Sequence, residues 1–386
     1  MAIPLTYTLR HLRVRWRSTL LTTACIALVV AVFVMVMALA NGLKATYISS
    51  GDPRNLLVLR KGSIAESSSQ VTFDNVRQTK FLDGIARDPR GEPLVSAEIM
   101  VLITLPRSGG GKAHVQVRGL GPMGLQLRPE VHFVAGRAFQ PGLRECIVSQ
   151  SLARRFPDLR LGRTFRSGKH AWKVVGIFAA SLTAYDSEVW VDADEARDAF
   201  NRTFYGSILL RPVDATAATA LKQRIEGDKK LQLRVLTESD YYAQQTKTAA
   251  PIRLFGAALA AVMSVGAAFS AMNAMYASVG ARAREIGTLR VLGFRRTSIY
   301  LAFMFESLVI AALGGVLGGA LALPLHGLAT GAFNWTTFAE VAFEFRITAG
   351  LLASGLAFAL VMGVLGGLLP ARFAARQPVL DALRAA

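Results

Sequence analysis

Four long apolar runs dominate the pattern of hydrophobic and polar positions. Thr19–Ala40 carries no charge, Pro251–Gly280 only Arg253, Ile299–Leu325 only Glu306, and Thr348–Leu369 none. A bilayer core needs about 20 apolar residues per helix, so each run predicts a membrane-spanning helix. The segment 41–250 between the first two runs has a different texture, with short apolar strands alternating with amphipathic helices. Strands are expected at 55–60, 95–105, 113–118, 145–149, 172–178, 188–191, 207–211 and 231–236, and helices at 73–86, 150–156, 193–200 and 215–225. This alternation predicts small βαβ units arranged as two subdomains. A segment of that length can bury its own core. The fold class that follows is an α+β membrane protein: four transmembrane helices with a large mixed α/β extracytoplasmic domain inserted between helices 1 and 2.

Smaller patterns fill in the organisation. Leu5, Leu9, Leu12 and Trp16 alternate with Arg10, Arg13 and Arg17, which suits an interfacial amphipathic helix over 1–18. Thr237-Glu-Ser-Asp240 reads as a helix start. A helix running from there to Gly280 would be roughly 65 Å long, twice the hydrocarbon thickness, with a stalk over about 238–250 and a kink at Pro251. The division expected is 1–18, span 19–40, outside domain 41–250, span 251–280, a short loop 281–298, span 299–325, an outside loop 326–347, span 348–369 and a tail 370–386.

Charge sets the orientation. The N-terminal stretch, the 281–298 loop and the tail hold twelve arginines against Glu285 and Asp381. The loop 326–347 holds Arg346 against Glu340 and Glu344. The positive-inside rule therefore makes both termini and the 281–298 loop cytoplasmic. The expected location is a bacterial cytoplasmic (inner) membrane, with the domain periplasmic or extracellular. A cleaved signal peptide is the competing reading of the first run, but that run exceeds the usual h-region. The net charge of +18 invites nucleic acid, yet its cytoplasmic share is what topology requires. The 30 Lys/Arg against 21 Asp/Glu outside are spread diffusely and suit a solvated surface or anionic lipid. No nucleic-acid partner is expected.

Little in the chain points to catalysis. Gly119-Leu-Gly-Pro-Met-Gly124 matches a dinucleotide fingerprint, but Pro122 and Pro129 argue against the helix that must follow it. Gly111-Lys112 and Gly168-Lys169 lack the Ser or Thr and the upstream glycine of a Walker A loop. The five histidines give no metal spacing, and Cys25 and Cys146 fall in different compartments. Cys146 reads as a buried strand residue. No catalytic residue, metal ligand or bound cofactor is expected. Glu306 is the one carboxylate in a predicted span, and either pairs with an arginine of the 282–296 segment or serves substrate or protons. Gly314, Gly315, Gly318 and Gly319 make a small-residue face, as do Gly363, Gly366 and Gly367, for packing within one subunit or between two.

The most informative stretch is Arg282-Ala-Arg-Glu-Ile-Gly-Thr-Leu-Arg-Val-Leu-Gly293, a charged helix-forming piece held between two spans. With Arg15-Trp-Arg-Ser-Thr-Leu-Leu-Thr22, Phe305-Glu-Ser-Leu308 and the tail from Pro370 to Arg384, it resembles the four-span permeases of ABC transporters of the FtsX/MacB type, also called type VII, whose relatives include lipoprotein-release permeases. The resemblance implies a coupling helix made by Arg282, Arg284, Glu285, Ile286, Gly287, Leu289, Arg290, Leu292 and Gly293. It would lodge in a cytoplasmic ABC ATPase dimer that holds ATP and magnesium on a separate chain. A second permease copy, identical or homologous, is implied, with a membrane-fusion protein as an optional partner and lipid around the spans. The implied work is mechanotransmission that exports or extracts a lipid, lipoprotein, peptide or drug-like molecule. The alternative is an FtsX-like signalling permease that regulates a cell-wall hydrolase or senses an antibiotic.

Overall fold

A computed structural model describes residues 16–106, 111–180, 183–246, 250–333 and 340–377. Most of the expected interfacial helix, continuity of the stalk across 247–249 and the end of the tail lie outside the described residues. The chain divides into two compact units. One is Met1–Asn41, Ala250–Leu328 and Phe345–Ala386; the other is Gly42–Ala249 with Ala329–Glu344.

Helix α1 (Trp16–Ile48) is followed by the elements of the second unit. These are β1 (Leu56–Arg60), α2 (Phe73–Lys80), β2 (Val95–Pro106), β3 (Lys112–Leu120), β4 (His132–Gly136), β5 (Glu145–Ser149), α3 (Gln150–Arg155), β6 (Thr164–Ser167) and β7 (His170–Ala179). Then come β8 (Glu188–Asp192), α4 (Ala193–Ala199), β9 (Ser207–Leu210), α5 (Ala215–Gly227), β10 (Leu233–Thr237) and α6 (Glu238–Gln245). The strands form one sheet in the order β10-β1-β9-β2-β3-β8-β5-β7-β4, with β6 on β7. Only β3–β8 and β5–β7 run parallel among its described pairs. The βαβ expectation is thus corrected: most neighbours are antiparallel, although helices and strands alternate in sequence. The α2 helix also ends earlier than expected. Gly84 takes φ +92° and Ile85 bridges Pro212, which turns the chain back toward the sheet. At the other end of the unit, the Thr237 hydroxyl accepts the Asp240 N–H and caps α6.

Two hydrophobic clusters line the sheet. One gathers Val58, Ile208, Leu221, Ile225 and Val235, the other Ile99, Val117, Val148, Trp172 and Val191. Cys146 belongs to the second, and burial pushes its thiol up. Where β2 passes between the clusters, charge is buried. Arg118 donates to Glu188 at 2.7 Å, to Glu98 at 2.8 Å and to Glu66 at 2.9 Å, all of them buried. Arg128 forks onto both oxygens of Glu98 at 2.7 and 2.8 Å. Glu238, the first residue of α6, accepts the Tyr185 hydroxyl at 2.7 Å, the Asn55 amide at 2.8 Å and the Asp52 N–H at 3.1 Å. Burial pushes the Glu98 carboxyl up, but the Arg128 and Arg118 guanidiniums outweigh it and hold the group below its ordinary value. At Glu238 burial prevails over Arg128, which stands 3.7 Å away, and the carboxyl is raised.

The remaining elements are α7 (Ala250–Ala281), α8 (Ala283–Val291), α9 (Arg296–Ala322), β11 (Ala329–Phe333), β12 (Glu340–Glu344) and α10 (Ala349–Arg376). Helices α1, α9 and α10, and the stretch containing α7, are long and apolar enough to cross a membrane. Pro251 is the second described residue of α7, so the kink expected there falls beside 247–249, outside the described residues. The antiparallel hairpin β11–β12 replaces the plain loop expected at 326–347 and belongs to the extramembrane unit. Its Glu340 pairs with Arg155 of α3, and its Ala342 N–H donates to Ser187 Oγ at 2.7 Å.

A carboxyl held below its ordinary value stabilises the fold above that value and loses the contribution as pH falls through its folded one. Glu238, being raised, acts in the opposite sense: its contribution is full below the ordinary range and fades as pH climbs through its folded value. The melting temperature of the full chain in detergent is therefore expected to fall as pH drops below the ordinary carboxyl value of 4.5. Glu98→Gln should lower it at neutral pH and flatten this acid limb. An acid limb of unchanged steepness in Glu98→Gln would count against the assignment.

Candidate functional site

The site is built where α7 turns into α8 and α8 into α9. Arg282 breaks the helical backbone at φ −110°, ψ 15° and serves as the N-cap of α8. Glu285 in the first turn and Arg290 in the last both suit the helix dipole. The C-terminus closes as a Schellman motif: Phe294 N–H donates to Leu289 O at 3.1 Å and Gly293 N–H to Arg290 O at 3.2 Å. That closure needs a left-handed residue, and Gly293 supplies φ +90°.

The residues singled out in the sequence separate onto two sides of α8. Arg284, Glu285, Leu292 and Gly293 are exposed, while Leu289 and Arg290 are half-buried. Ile286 and Gly287 are buried, and Ile286 joins Met275, Val279, Ile299, Phe303, Ala371 and Ala374 in an apolar cluster. They therefore line the inner side of α8, because the 3.6-residue period carries 283, 286 and 287 inward together. Val291, absent from the expected contacts, is 64% exposed beside Leu292 at 65%. Its helical spacing from Arg284 and Thr288 was the available signal.

Arg282 also faces inward. Its Nη1 and Nη2 donate to the two oxygens of Glu306 at 2.9 and 3.0 Å, and both side chains are buried. Of the two readings of Glu306, the ion pair is the one present. The guanidinium lies 5.7 Å from the Phe303 ring centroid. Beside the pair is a cavity of about 20 Å³ lined by Thr22, Ser278, Glu306 and Ser307, among others. That is room for one water.

The glycine faces pack within the chain. A Cβ on Gly314 would lie 2.7 Å from Ile26 and one on Gly318 2.8 Å from Val30, so α1 sits directly on this face. Gly315 and Gly319 turn to α10, meeting Ala359 at 2.9 Å and Leu352 at 3.3 Å. Gly363 and Gly367 return the contact to Ala311 and Ser307 of α9. Elsewhere, the segment after Gly119 forms turns rather than the helix that a dinucleotide fingerprint requires. No group of His, Cys, Asp or Glu is placed to hold a metal ion among the described residues.

The sequence family described as the MacB-like periplasmic core domain matches residues 19–228, and the FtsX-like permease C-terminal family matches 257–379. The chain belongs to the FtsX/MacB-type ABC permeases. A macrolide export ATP-binding/permease protein MacB from Bdellovibrio bacteriovorus is 24% identical over 362 residues, covering 86% of this chain and 53% of that protein. The ABC transporter permease YknZ of Bacillus subtilis is 24% identical over 261 residues, covering 64% of this chain and 63% of that one. The crystal structure of the periplasmic region of MacB from Actinobacillus actinomycetemcomitans aligns at 12% identity and a TM-score of 0.38, covering 50% of this chain and 92% of that one. The chain spans about half the length of the curated MacB relatives.

Removing one partner of a buried ion pair leaves an uncompensated charge, at a cost of about 3–5 kcal/mol, whereas replacing both by apolar groups costs far less. Glu306→Leu is expected to lower the stability of this permease in detergent by that amount, and Arg282→Met with Glu306→Leu to recover most of it. Thermal unfolding of the single and double variants checks this; equal losses in both would show that the pair adds nothing.

Proposed function

We propose that this chain is the permease subunit of an ATP-driven ABC transporter, and that α8 is its coupling helix. A cytoplasmic ABC ATPase dimer, carried on a separate chain, would bind ATP and magnesium and hold α8 in a groove. The observation that carries this reading is the two-sidedness of α8. Ile286 and Arg282 bind it to the bundle, while Arg284, Glu285, Val291 and Leu292 are left exposed at the end of two membrane-length helices. A short helix that keeps Val291 and Leu292 uncovered has apolar surface to offer a partner. The family membership supports the choice of an ABC ATPase as that partner.

In this reading both termini and α8 are cytoplasmic, the sheet domain lies beyond the outer face of a bacterial inner membrane, and two permease copies face one ATPase dimer. Closure of the ATPases moves α8. That movement passes along α7 toward the segment that begins with α6, and reaches the extramembrane domain as a change of attitude. The cargo class is a lipid, lipoprotein, peptide or drug-like molecule taken from the membrane or the space outside it, with a membrane-fusion protein as the receiving partner. Buried Glu238 suits the transmission. It fixes the first residue of α6 to Tyr185, Asn55 and Asp52, so a pull on α6 acts on the sheet domain.

The test is co-purification of the full chain with an ABC ATPase from its native membrane, followed by ATP turnover. Arg284→Glu and Leu292→Asp, both at exposed positions, are expected to weaken association at least tenfold and to remove permease-dependent turnover while leaving the melting temperature unchanged. Association that survives both substitutions would defeat the coupling role of α8.

A further inference from the structure

Within the extramembrane unit, the β11–β12 hairpin leaves open space beside it. A cleft of about 700 Å³ lies between the hairpin on one side and β3 and α3 on the other. Each wall follows from a backbone period. On β3, Ala113 and Val115 point into a hydrophobic cluster, so Lys112 and His114 point to the cleft. On α3, Ser151, Arg154 and Arg155 share a face at helical spacing, while Leu152 turns into the same cluster. On β12, Val341 and Phe343 are buried, which leaves Glu340, Ala342 and Glu344 to line the cleft.

The cleft is held open by its own walls. The Ala342 N–H donates to Ser187 Oγ at 2.7 Å and Glu340 pairs with Arg155, so β12 is attached at its middle and at one end. At its other end the Glu344 carbonyl lies against Gly42, where any Cβ would collide with it. Gly331 stands opposite Ala342 in the hairpin and lets the Glu340 side chain lie across the strand, since a Cβ there would strike its carboxylate. With Glu340 and Arg155 matched to each other, the remaining charges stay apart. Lys112 and Arg154 on one wall, and Glu344 on the other, make no ion pair among the described residues. Lys112 and Arg154 are exposed and Glu344 is half-buried.

Two cations facing one carboxylate across a cleft of this size suit a small ligand with a strong anion at one end and a cation at the other. A phosphate monoester carries about −1.5 to −2 at neutral pH, which matches Lys112 and Arg154 together, and a guanidinium forks onto phosphate oxygens. A primary ammonium matches Glu344. We propose that the cleft between the β11–β12 hairpin and β3–α3 is a binding site for an aminoalkyl phosphate, with the phosphate on Lys112 and Arg154 and the ammonium on Glu344. A phosphate joined to an ammonium is common to free phosphoethanolamine and to the ethanolamine headgroup of a phospholipid. No residue of α8 takes part, so the site is independent of the coupling reading above.

The experiment titrates phosphoethanolamine into the full chain in phosphatidylglycerol nanodiscs and reads binding by calorimetry, with inorganic phosphate and ethanolamine as separate probes. Phosphoethanolamine is expected to bind at least tenfold tighter than either. Lys112→Ala with Arg154→Ala should weaken it at least tenfold. Glu344→Gln should bring it down to the level of inorganic phosphate while phosphate binding itself persists, a change of preference that a merely structural role of Glu344 would not produce. The persisting phosphate binding also shows that this variant is folded. Nanodiscs in which an ethanolamine phospholipid replaces part of the phosphatidylglycerol identify the source. A severalfold weaker apparent affinity for the free probe marks a site occupied by lipid headgroups, and an unchanged affinity marks a water-soluble ligand. Equal binding of phosphoethanolamine and inorganic phosphate by the unsubstituted chain, or unaltered phosphoethanolamine binding in Lys112→Ala with Arg154→Ala, overturns the site.

Discussion

Burying a guanidinium obliges a fold to bring carboxylates to it, and this chain does so in both of its units. Arg118 and Arg128 draw Glu66, Glu98 and Glu188 into the middle of the sheet, and Arg282 draws Glu306 out of α9. In each case the partners come from separate elements, so satisfying the charge also fixes how those elements meet. A hydrophobic contact tolerates sliding; a forked hydrogen-bonded ion pair does not. The positions of α8 against α9, and of β2 against β3 and β8, are therefore set by charge geometry rather than by apolar burial alone.

The same logic governs packing inside each unit. Within the membrane unit, glycine faces let α1, α9 and α10 approach closely, with side chains such as Ile26, Val30 and Ala359 seated against them. Within the extramembrane unit, Glu238 binds the start of α6 to the network beneath the sheet. At the end of the helices, the Val291–Leu292 corner of α8 stays exposed. Under the proposed coupling, force enters at that corner and meets joints already fixed in direction.

Much of the architecture was legible because it depends on local pattern. The four apolar runs, the Thr237 cap and the strand that carries Cys146 all show in short windows of sequence. The charged segment between the second and third runs announced α8 in the same way. What escaped depends on distant partners. Arg282 and Glu306 stand 24 residues apart, and nothing local to Arg282 separates it from Arg284, which faces the other way. Arg118 looks like an outward strand residue until Glu66, Glu98 and Glu188 arrive from elsewhere in the chain. Strand β4 is exposed along its whole length, so no alternation marks it. The β12 strand did carry a signal, with Val341 and Phe343 inward between half-buried neighbours, but the span is five residues and its partner strand is poor in β-branched residues. The antiparallel order escaped because helix–strand alternation in sequence does not dictate which strands become neighbours.

Glu98 sits on β2 between Ala97, packed on one hydrophobic cluster, and Ile99, a member of the other; Arg128 donates to both of its oxygens and Arg118 to one of them. A carboxylate in that position ties the cooperativity of one cluster to that of the other. Opening either half of the sheet strands a charge in the half that remains closed, so partial opening gains little over complete opening. The extramembrane domain should then behave as a single foldon, with amides of β1 and β7 exchanging through one common event despite lying in different parts of the sheet.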